Sequence, residues 1–272
     1  MDNKTQKSKI FKWPNNDMGQ EDDYVATEAP LEIRLGHSKD EFNTLAISMC
    51  SPSEVNELVY GYLFTENIIN TSSDVVEINV FDNDLGLISE VLLDRSVNYQ
   101  KFINKRYGMV HASCGICGKT DFDDLLTFNY PARKRTEGGI EPQIILSLPD
   151  KLKLKQRAFM QTGGLHASAL FSDTGKLLCI NEDVGRHNAL DKLIGTALRK
   201  DMLPLRKHII LLSGRVSFEL VHKALMAGVN TLCAIGAPSS LSIEIAQVNG
   251  LQLYGFSKAN GFNRYTGKSH HV

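Results

Sequence analysis

The chain has 272 residues, 42% of them hydrophobic, enough to bury a core as one large domain or two small ones. Lys and Arg number 30 against 31 Asp and Glu, so the overall charge calls for neither nucleic acid nor an anionic membrane, and an anionic ligand has to be met locally. The first residues lack the apolar centre of a secretory signal and no run is long enough to span a bilayer, which places the expectation in the cytoplasm.

Residues 1–24 mix Lys, Asn, Asp and Gln with little periodicity and read as a flexible arm, with Trp13 able to dock. Residues 25–110 read as a small α+β domain. Leu31, Ile33 and Leu35 alternate with polar neighbours as a strand does, a second apolar run covers 45–49, and a turn over 36–40 would join them. Ser51-Pro52-Ser53-Glu54 predicts a helix start with Ser51 as N-cap and Glu54 in a capping box. Val55, Leu58, Val59, Tyr62 and Leu63 then form the buried stripe of an amphipathic helix. Strands over 75–81 and 87–93 complete this unit.

Residues 111–148 form a Gly-rich, charged passage without sustained period, read as a functional loop and linker. From 149 to 272 an α/β domain is expected. It would begin with a helix over 149–161 and a hairpin of strands 165–171 and 177–180. A helix over 186–199 follows, then strand 208–212, helix 217–227, strand 231–235, helix 241–248 and strand 251–256. This alternation predicts a largely parallel sheet with right-handed crossovers.

Five cysteines are present. Cys50, Cys179 and Cys233 sit in apolar strand-like runs and read as inert, packed thiols. Cys114-Gly115-Ile116-Cys117-Gly118 is different, because its glycines let a loop bend so as to expose both sulfurs. Such a pair can share a metal, close a disulfide or act as reactive thiols. A second matching pair for a four-ligand metal site is missing, although His111 is near. The loop's poverty in packing residues favours a working thiol over a structural pair.

Three polar loops follow predicted strand ends: Ser213-Gly214-Arg215, Gly236-Ala237-Pro238-Ser239-Ser240, and Phe256-Ser257-Lys258-Ala259-Asn260-Gly261. With parallel strands all three lie at the carboxyl edge, where helix N-termini offer free N–H groups to phosphates. Arg215 and Lys258 add full charges, so a phosphorylated nucleotide fits this crevice. Each loop alone is equally well explained as a turn built from turn-forming residues. Glu182-Asp183-Val184-Gly185-Arg186-His187 crowds acids, Arg and His into one strand-to-helix corner. Asp183 could cap the helix, Glu182 adds charge at its positive end, and His187 could move protons near neutral pH. His166 could meet His187 across the hairpin, or simply be a satisfied core histidine.

Taken together these segments resemble the FdhD family of formate dehydrogenase accessory sulfurtransferases. The resemblance runs from about Thr27 and rests on six segments in order. They are Cys114-Gly-Ile-Cys117-Gly, Thr162-Gly-Gly-Leu-His166-Ala, Glu182-Asp-Val-Gly-Arg-His187-Asn-Ala-Leu-Asp191-Lys, Ser213-Gly-Arg215, Ala237-Pro-Ser-Ser240, and Gly255-Phe through Asn263. The resemblance implies a sulfurtransferase that takes persulfide sulfur from a cysteine desulfurase and passes it to the molybdenum bis-guanine-dinucleotide cofactor, as substrate, for formate dehydrogenase. It makes Cys114 the persulfide carrier, with Cys117 assisting or resolving, and the segment from Phe256 to Gly261 a cofactor-binding loop. Some relatives carry Lys-Pro-Gly-Arg at that point, whereas this chain reads Lys258-Ala259-Asn260-Gly261; Arg264 or Arg215 would have to replace the missing arginine. A cytidine-deaminase-like fold for the second domain and a homodimer are also implied. The zinc signature of deaminases is absent, so neither deamination nor a tightly bound metal is expected. The rival readings are a dithiol redox protein and a cofactor-binding chaperone that transfers no sulfur.

Overall fold

The computed structural model describes residues 4–13, 20–103, 130 and 139–267. Two strands, β1 (Thr5–Ile10) and β2 (Glu21–Ala26), pair antiparallel near the start of the chain. The stretch expected to be a flexible arm therefore contains a strand, tied down where Thr27 N donates to the Lys4 carbonyl and Lys4 pairs with Glu54. Trp13 is 92% exposed and docks on nothing among the described residues.

The first sheet has the order β4-β3-β6-β5, built from β3 (Ala29–Ser38), β4 (Glu41–Cys50), β5 (Val75–Asn83) and β6 (Gly86–Leu93). Leu31, Ile33 and Leu35 point from β3 into a core closed by helix α1 (Val55–Thr65), as their alternation predicts. The start of α1 differs from expectation. Glu54 occupies the cap position in a left-handed conformation, φ 51°, without a side-chain capping bond. Ser51 is instead drawn into contacts with the second half of the chain, described below, which outweigh a local cap. A short helix α2 (Gln100–Ile103) follows β6.

The second sheet has six strands in the order β12-β11-β10-β9-β7-β8. They are β7 (His166–Ser172), β8 (Leu177–Asp183), β9 (His208–Leu212), β10 (Thr231–Ala234), β11 (Gln252–Lys258) and β12 (Gly261–Arg264). Only the β9–β10 and β10–β11 pairings are parallel, while β7–β8, β7–β9 and β11–β12 are antiparallel. The sheet is thus mixed, correcting the expectation of a largely parallel one. The reason is local: tight turns at Asp173–Gly175 and Ala259–Asn260 fold each flanking pair into a hairpin, and a hairpin can only pair antiparallel.

Helices α5 (Arg186–Arg199), α6 (Phe218–Met226) and α7 (Ser240–Val248) cover one face of this sheet, against Leu170, Ile210, Leu212, Leu232 and Leu253. Helix α3 (Pro142–Lys153) covers the other, against Ala169, Phe171, Ile209, Leu211 and Cys233. Strands buried on both faces read as continuous apolar runs, as residues 208–212 do. Where one helix was expected over 149–161 there are two: α3 begins at Pro142 and carries Pro149 inside it, and α4 (Arg157–Thr162) follows a break, ending at Gly163 with φ 67°. Pro142 at the helix start costs no hydrogen bond, which a sequence reading beginning at Pro149 overlooks.

The two halves meet where α1 crosses α5. A Cβ at Gly61 would overlap the Asp191 carbonyl and one at Gly195 would overlap the Glu57 carbonyl, so only bare glycine lets these backbones touch. Beside the crossing Lys223 lies 2.9 Å from Asp191 and donates to Thr65 Oγ1, which in turn donates to Asp191. No helix among the described residues is long and apolar enough to cross a membrane.

Candidate functional site

The parallel strands β9, β10 and β11 end side by side, and the residues past their ends open into a cleft of about 590 Å³. This lies within the size range of about 300–1,000 Å³ usual for ligand sites. One wall is the sheet edge, with His166, Ser213, Ile235, Ser257, Lys258 and Ala259; the other is Pro149, Asp150 and Lys153 from α3, Gln156 between the helices and Phe159 from α4, with the Gly163–Leu165 turn. His166, Ser213, Ser257, Lys258 and Ala259 are thus brought together, whereas Gly214, Arg215, Ser239, Phe256, Asn260 and Gly261 do not line the cleft. The opposing wall was missed, because the break between α3 and α4 that turns Gln156 and Phe159 toward the cleft was read as continuous helix. The signal was Thr162-Gly163, a helix stop only six residues after Gln156.

The third loop owes its shape to an irregularity in β11. Its register against β12 shifts between Gly255 and Lys258, and Phe256 sits there at φ 52°, a left-handed conformation costly for a bulky residue. Phe256 is part-exposed, and the next residue, Ser257, is 1% exposed with an Oγ that finds no hydrogen-bond partner among the described residues. A buried hydroxyl without a partner costs about 1–3 kcal/mol, so a ligand that bonds Ser257 would recover that cost. Ala259 and Asn260 form the exposed turn beyond it, and Gly261 opens β12.

The remaining predicted residues lie elsewhere around this edge. Ser239 caps α7, accepting from Ser242 N at 3.3 Å. Gly214 lies under the His166 ring, and the Arg215 side chain is exposed next to it. Burial, then the nearby charges of Arg186 and His187, lower the proton affinity of His166, leaving a neutral imidazole on the cleft wall near pH 7. His187 does not line the cleft. It is buried at the junction of α5 and α6, with Nε2 3.3 Å from Ser217 Oγ and 3.8 Å from Glu219, and no hydrogen bond joins it to His166. Burial alone would raise the Glu219 carboxyl, but bonds from His187 and Ser217 bring it down to about 2.

Asp183 is wholly buried and already saturated. Its two oxygens accept from Ser51 N at 3.0 Å, Gly185 N at 2.8 Å and Asn188 Nδ2 at 3.1 Å, and Lys192 Nζ lies 2.6 Å away. It holds Gly185 N and the Asn188 side chain at the start of α5 and ties them to the first sheet, but the N-cap is Gly185 without a side-chain capping bond, so Asp183 is not the expected cap. Glu182 stands at the positive end of a helix, though not the expected one: it accepts from Phe159 N at 2.9 Å and Ala158 N at 3.3 Å, holding the first turn of α4. These two acids set the position of the cleft's outer wall relative to both sheets.

Cys50 and Cys233 are buried and Cys179 partly so; burial pushes the Cys50 thiol up to about 12, Cys179 to about 11 and Cys233 higher still. They are packing thiols, as their apolar context predicts. Cys114 and Cys117 lie outside the described residues, as does His111. Among the described residues no three His, Cys, Asp or Glu side chains are grouped so as to hold a metal.

The model of the FdhD/NarQ family matches residues 26–272. The chain belongs to the FdhD/NarQ family. A sulfur carrier protein FdhD from Sulfurisphaera tokodaii is 40% identical over 260 residues, covering 96% of each chain. One of the same name from Streptomyces coelicolor is 37% identical over 270 residues, covering 97% of this chain and 94% of its own. The fold matches a crystal structure from Desulfotalea psychrophila assigned as a formate dehydrogenase accessory protein, with a TM-score of 0.71, 23% identity and 98% of both chains covered. Of the segments quoted above, those within the described residues divide between the cleft and the interior. Ser213, Ser257 and Lys258 face the cleft, whereas Asp183, Asp191 and Lys192 are interior ion-pair residues.

Proposed function

We propose that this chain is a sulfur carrier: a cysteine desulfurase loads persulfide sulfur onto Cys114, assisted by Cys117, and the sulfur passes to a molybdenum bis-guanine-dinucleotide cofactor destined for formate dehydrogenase. The observation that carries the reading is the cleft at the carboxyl edge of the parallel strands. It joins an apolar floor of Phe159, Leu165 and Ile235 to Lys153, Lys258 and the unpartnered Ser257 hydroxyl, a combination suited to a ring system with a phosphate. Relatives named sulfur carrier proteins, matching over nearly the whole chain, supply the sulfur chemistry. At about 590 Å³ the cleft accommodates one guanosine phosphate arm, with the remainder of so large a cofactor outside it. Phe159 offers an aromatic face for the base, Lys258 and Lys153 offer charge for phosphate, and the thiol segment, between α2 and α3 in sequence, brings the sulfur.

A homodimer belongs to the same reading, and sedimentation at twice the chain mass checks it. The decisive test is mass spectrometry of the full chain after incubation with a cysteine desulfurase and labelled cysteine. One added sulfur on the peptide containing Cys114, lost in Cys114→Ala with guanosine diphosphate binding unchanged, is expected. A dithiol redox protein would instead show a reversible disulfide and equal dependence on both thiols. A cofactor chaperone would support formate dehydrogenase maturation with both thiols replaced by alanine. Either result overturns the carrier assignment.

A further inference from the structure

One side chain beside the cleft, Arg186, has no task in the reading above. Arg186 opens α5, and its Nε is shut off from solvent without a hydrogen-bond partner among the described residues. A Cβ at Gly214 would come 3.2 Å from His166 Nδ1 and 3.9 Å from Arg186 Cδ, so the imidazole and the Arg186 side chain lie over the same bare backbone. The N–H groups of Gly214 and Arg215 donate to no acceptor among the described residues. Arg186 and His187 are close enough to act electrostatically on His166, as is Arg215 more weakly, and Asp183 acts there in the opposite sense.

The acids that could neutralise this corner are engaged elsewhere. Asp183 faces Lys192 and three neutral donors, Glu182 accepts from the first turn of α4, and Glu219 sits against His187. The Arg186 side chain, two backbone donors and the first turn of a 14-residue helix therefore lie together, with Arg215 near enough to add charge, and among the described residues the one carboxylate felt at His166, Asp183, is already committed to Lys192. An unpaired buried guanidinium nitrogen is expensive, and the simplest way to satisfy it is an acceptor from outside.

We propose that Arg186, Arg215 and the Gly214–Arg215 backbone form a subsite for a tetrahedral oxyanion, separate from the loop spanning Phe256 to Gly261. Ser213 and His166, which line the cleft, connect the two. The guanidinium of Arg186 supplies paired donors, the backbone N–H groups fix the anion's position, and Arg215 adds charge from the exposed side. The ligand chemistry is that of a phosphoryl group or a metal oxyanion of the same shape. Its physiological occupant rests on the cleft holding a phosphorylated cofactor; the existence of the subsite does not.

The test uses the full chain with inorganic phosphate and, separately, molybdate, followed by calorimetry and by the NMR titration of the His166 ring. Saturable binding of either anion is expected, with the His166 midpoint moving up because a bound anion offsets its cationic neighbours. Arg186→Gln should weaken binding tenfold or more and Arg186→Lys less, with circular dichroism unchanged. Preference for phosphate over molybdate identifies a phosphoryl group as the natural occupant, and the reverse identifies a metal oxyanion. Binding of neither anion to the unaltered chain overturns the subsite, as does equal affinity in Arg186→Gln with His166 unmoved. Failure of sulfur loading in a chain that binds the anion counts against the carrier reading alone. Absence of anion binding in a chain that loads and delivers sulfur counts against the subsite alone.

Discussion

Lys192→Met tests how the two halves of the protein are joined. In the native chain Lys192 and Asp183 are both 0% exposed and 2.6 Å apart, and the Lys192 ammonium also donates to the Ser51 carbonyl at 3.1 Å. At an effective dielectric near 20, opposite charges at that separation attract by about 6 kcal/mol, most of which offsets the cost of burying them. Methionine fills the space but leaves the aspartate without a cation. Removing one partner of a buried pair leaves an uncompensated charge, and the bond to Ser51 is lost with it, so the expected destabilisation is about 3–5 kcal/mol. Asp183→Asn with Lys192→Met, which removes both charges, should recover part of that loss. Urea unfolding of wild type, single mutant and double mutant measures this directly. A loss under about 1 kcal/mol in Lys192→Met, or a double mutant whose losses simply add, would refute the account of the buried pair.

Three further outcomes are expected. Gly61→Ala places a methyl against the backbone of α5 at Asp191, and should lower the unfolding midpoint by several degrees more than a substitution on the exposed face of α1. Glu182→Gln removes the charge at the start of α4, and should weaken guanosine diphosphate binding several-fold in calorimetry while costing about 0.5–1 kcal/mol of stability. Glu219, held near 2 against an ordinary 4.5, contributes stability that is complete above pH 4.5 and lost as pH falls through about 2. In acid unfolding curves the Glu219→Gln chain should therefore show a shallower loss across that interval than wild type.

Sequence periodicity found nearly every strand and helix around the cleft because those elements are buried on one or both faces, where burial dictates the pattern. Residues 186–199 and 208–212 coincide with α5 and β9 to the residue. The start of α1 differs from its local pattern because its partners are distant in the chain. Ser51 was a plausible cap from its neighbours, but its N–H, hydroxyl and carbonyl are taken by Asp183, Val184 N and Lys192, more than 130 residues away. Local pattern carries no trace of such a contact. The sheet differs for a local reason: strand and helix alternate from β9 to β11, while the hairpins at both ends, the first of them expected over residues 165–180, add antiparallel neighbours. In the site, Ser213, Ser257 and Lys258 were legible as loop residues after strands, and Phe159 was not, since a half-exposed aromatic on a short helix looks like packing.

The densest motif of the chain, from Glu182 to Lys192, illustrates why charge density in a loop is an ambiguous signal. A ligand site and a junction between layers both need charged side chains in close order, and sequence spacing does not separate them. Burial does. Asp183 and Lys192 satisfy each other in the interior, Asp191 satisfies Lys223, and Glu182 satisfies the backbone of α4, so four of the motif's charges are consumed by architecture. Arg186 is the charge left over: its Nε has no partner among the described residues, so once each acid in the motif has a structural partner this group remains available to a ligand. That division also fixes what the junction does for the cleft. Glu182 holds the wall that carries Phe159 while its neighbour Asp183 grips Ser51 at the end of β4, so a shift of the first sheet is transmitted to the cleft through two adjacent residues. Weakening Asp183 should therefore loosen ligand binding at a distance, even though that carboxylate never touches the ligand.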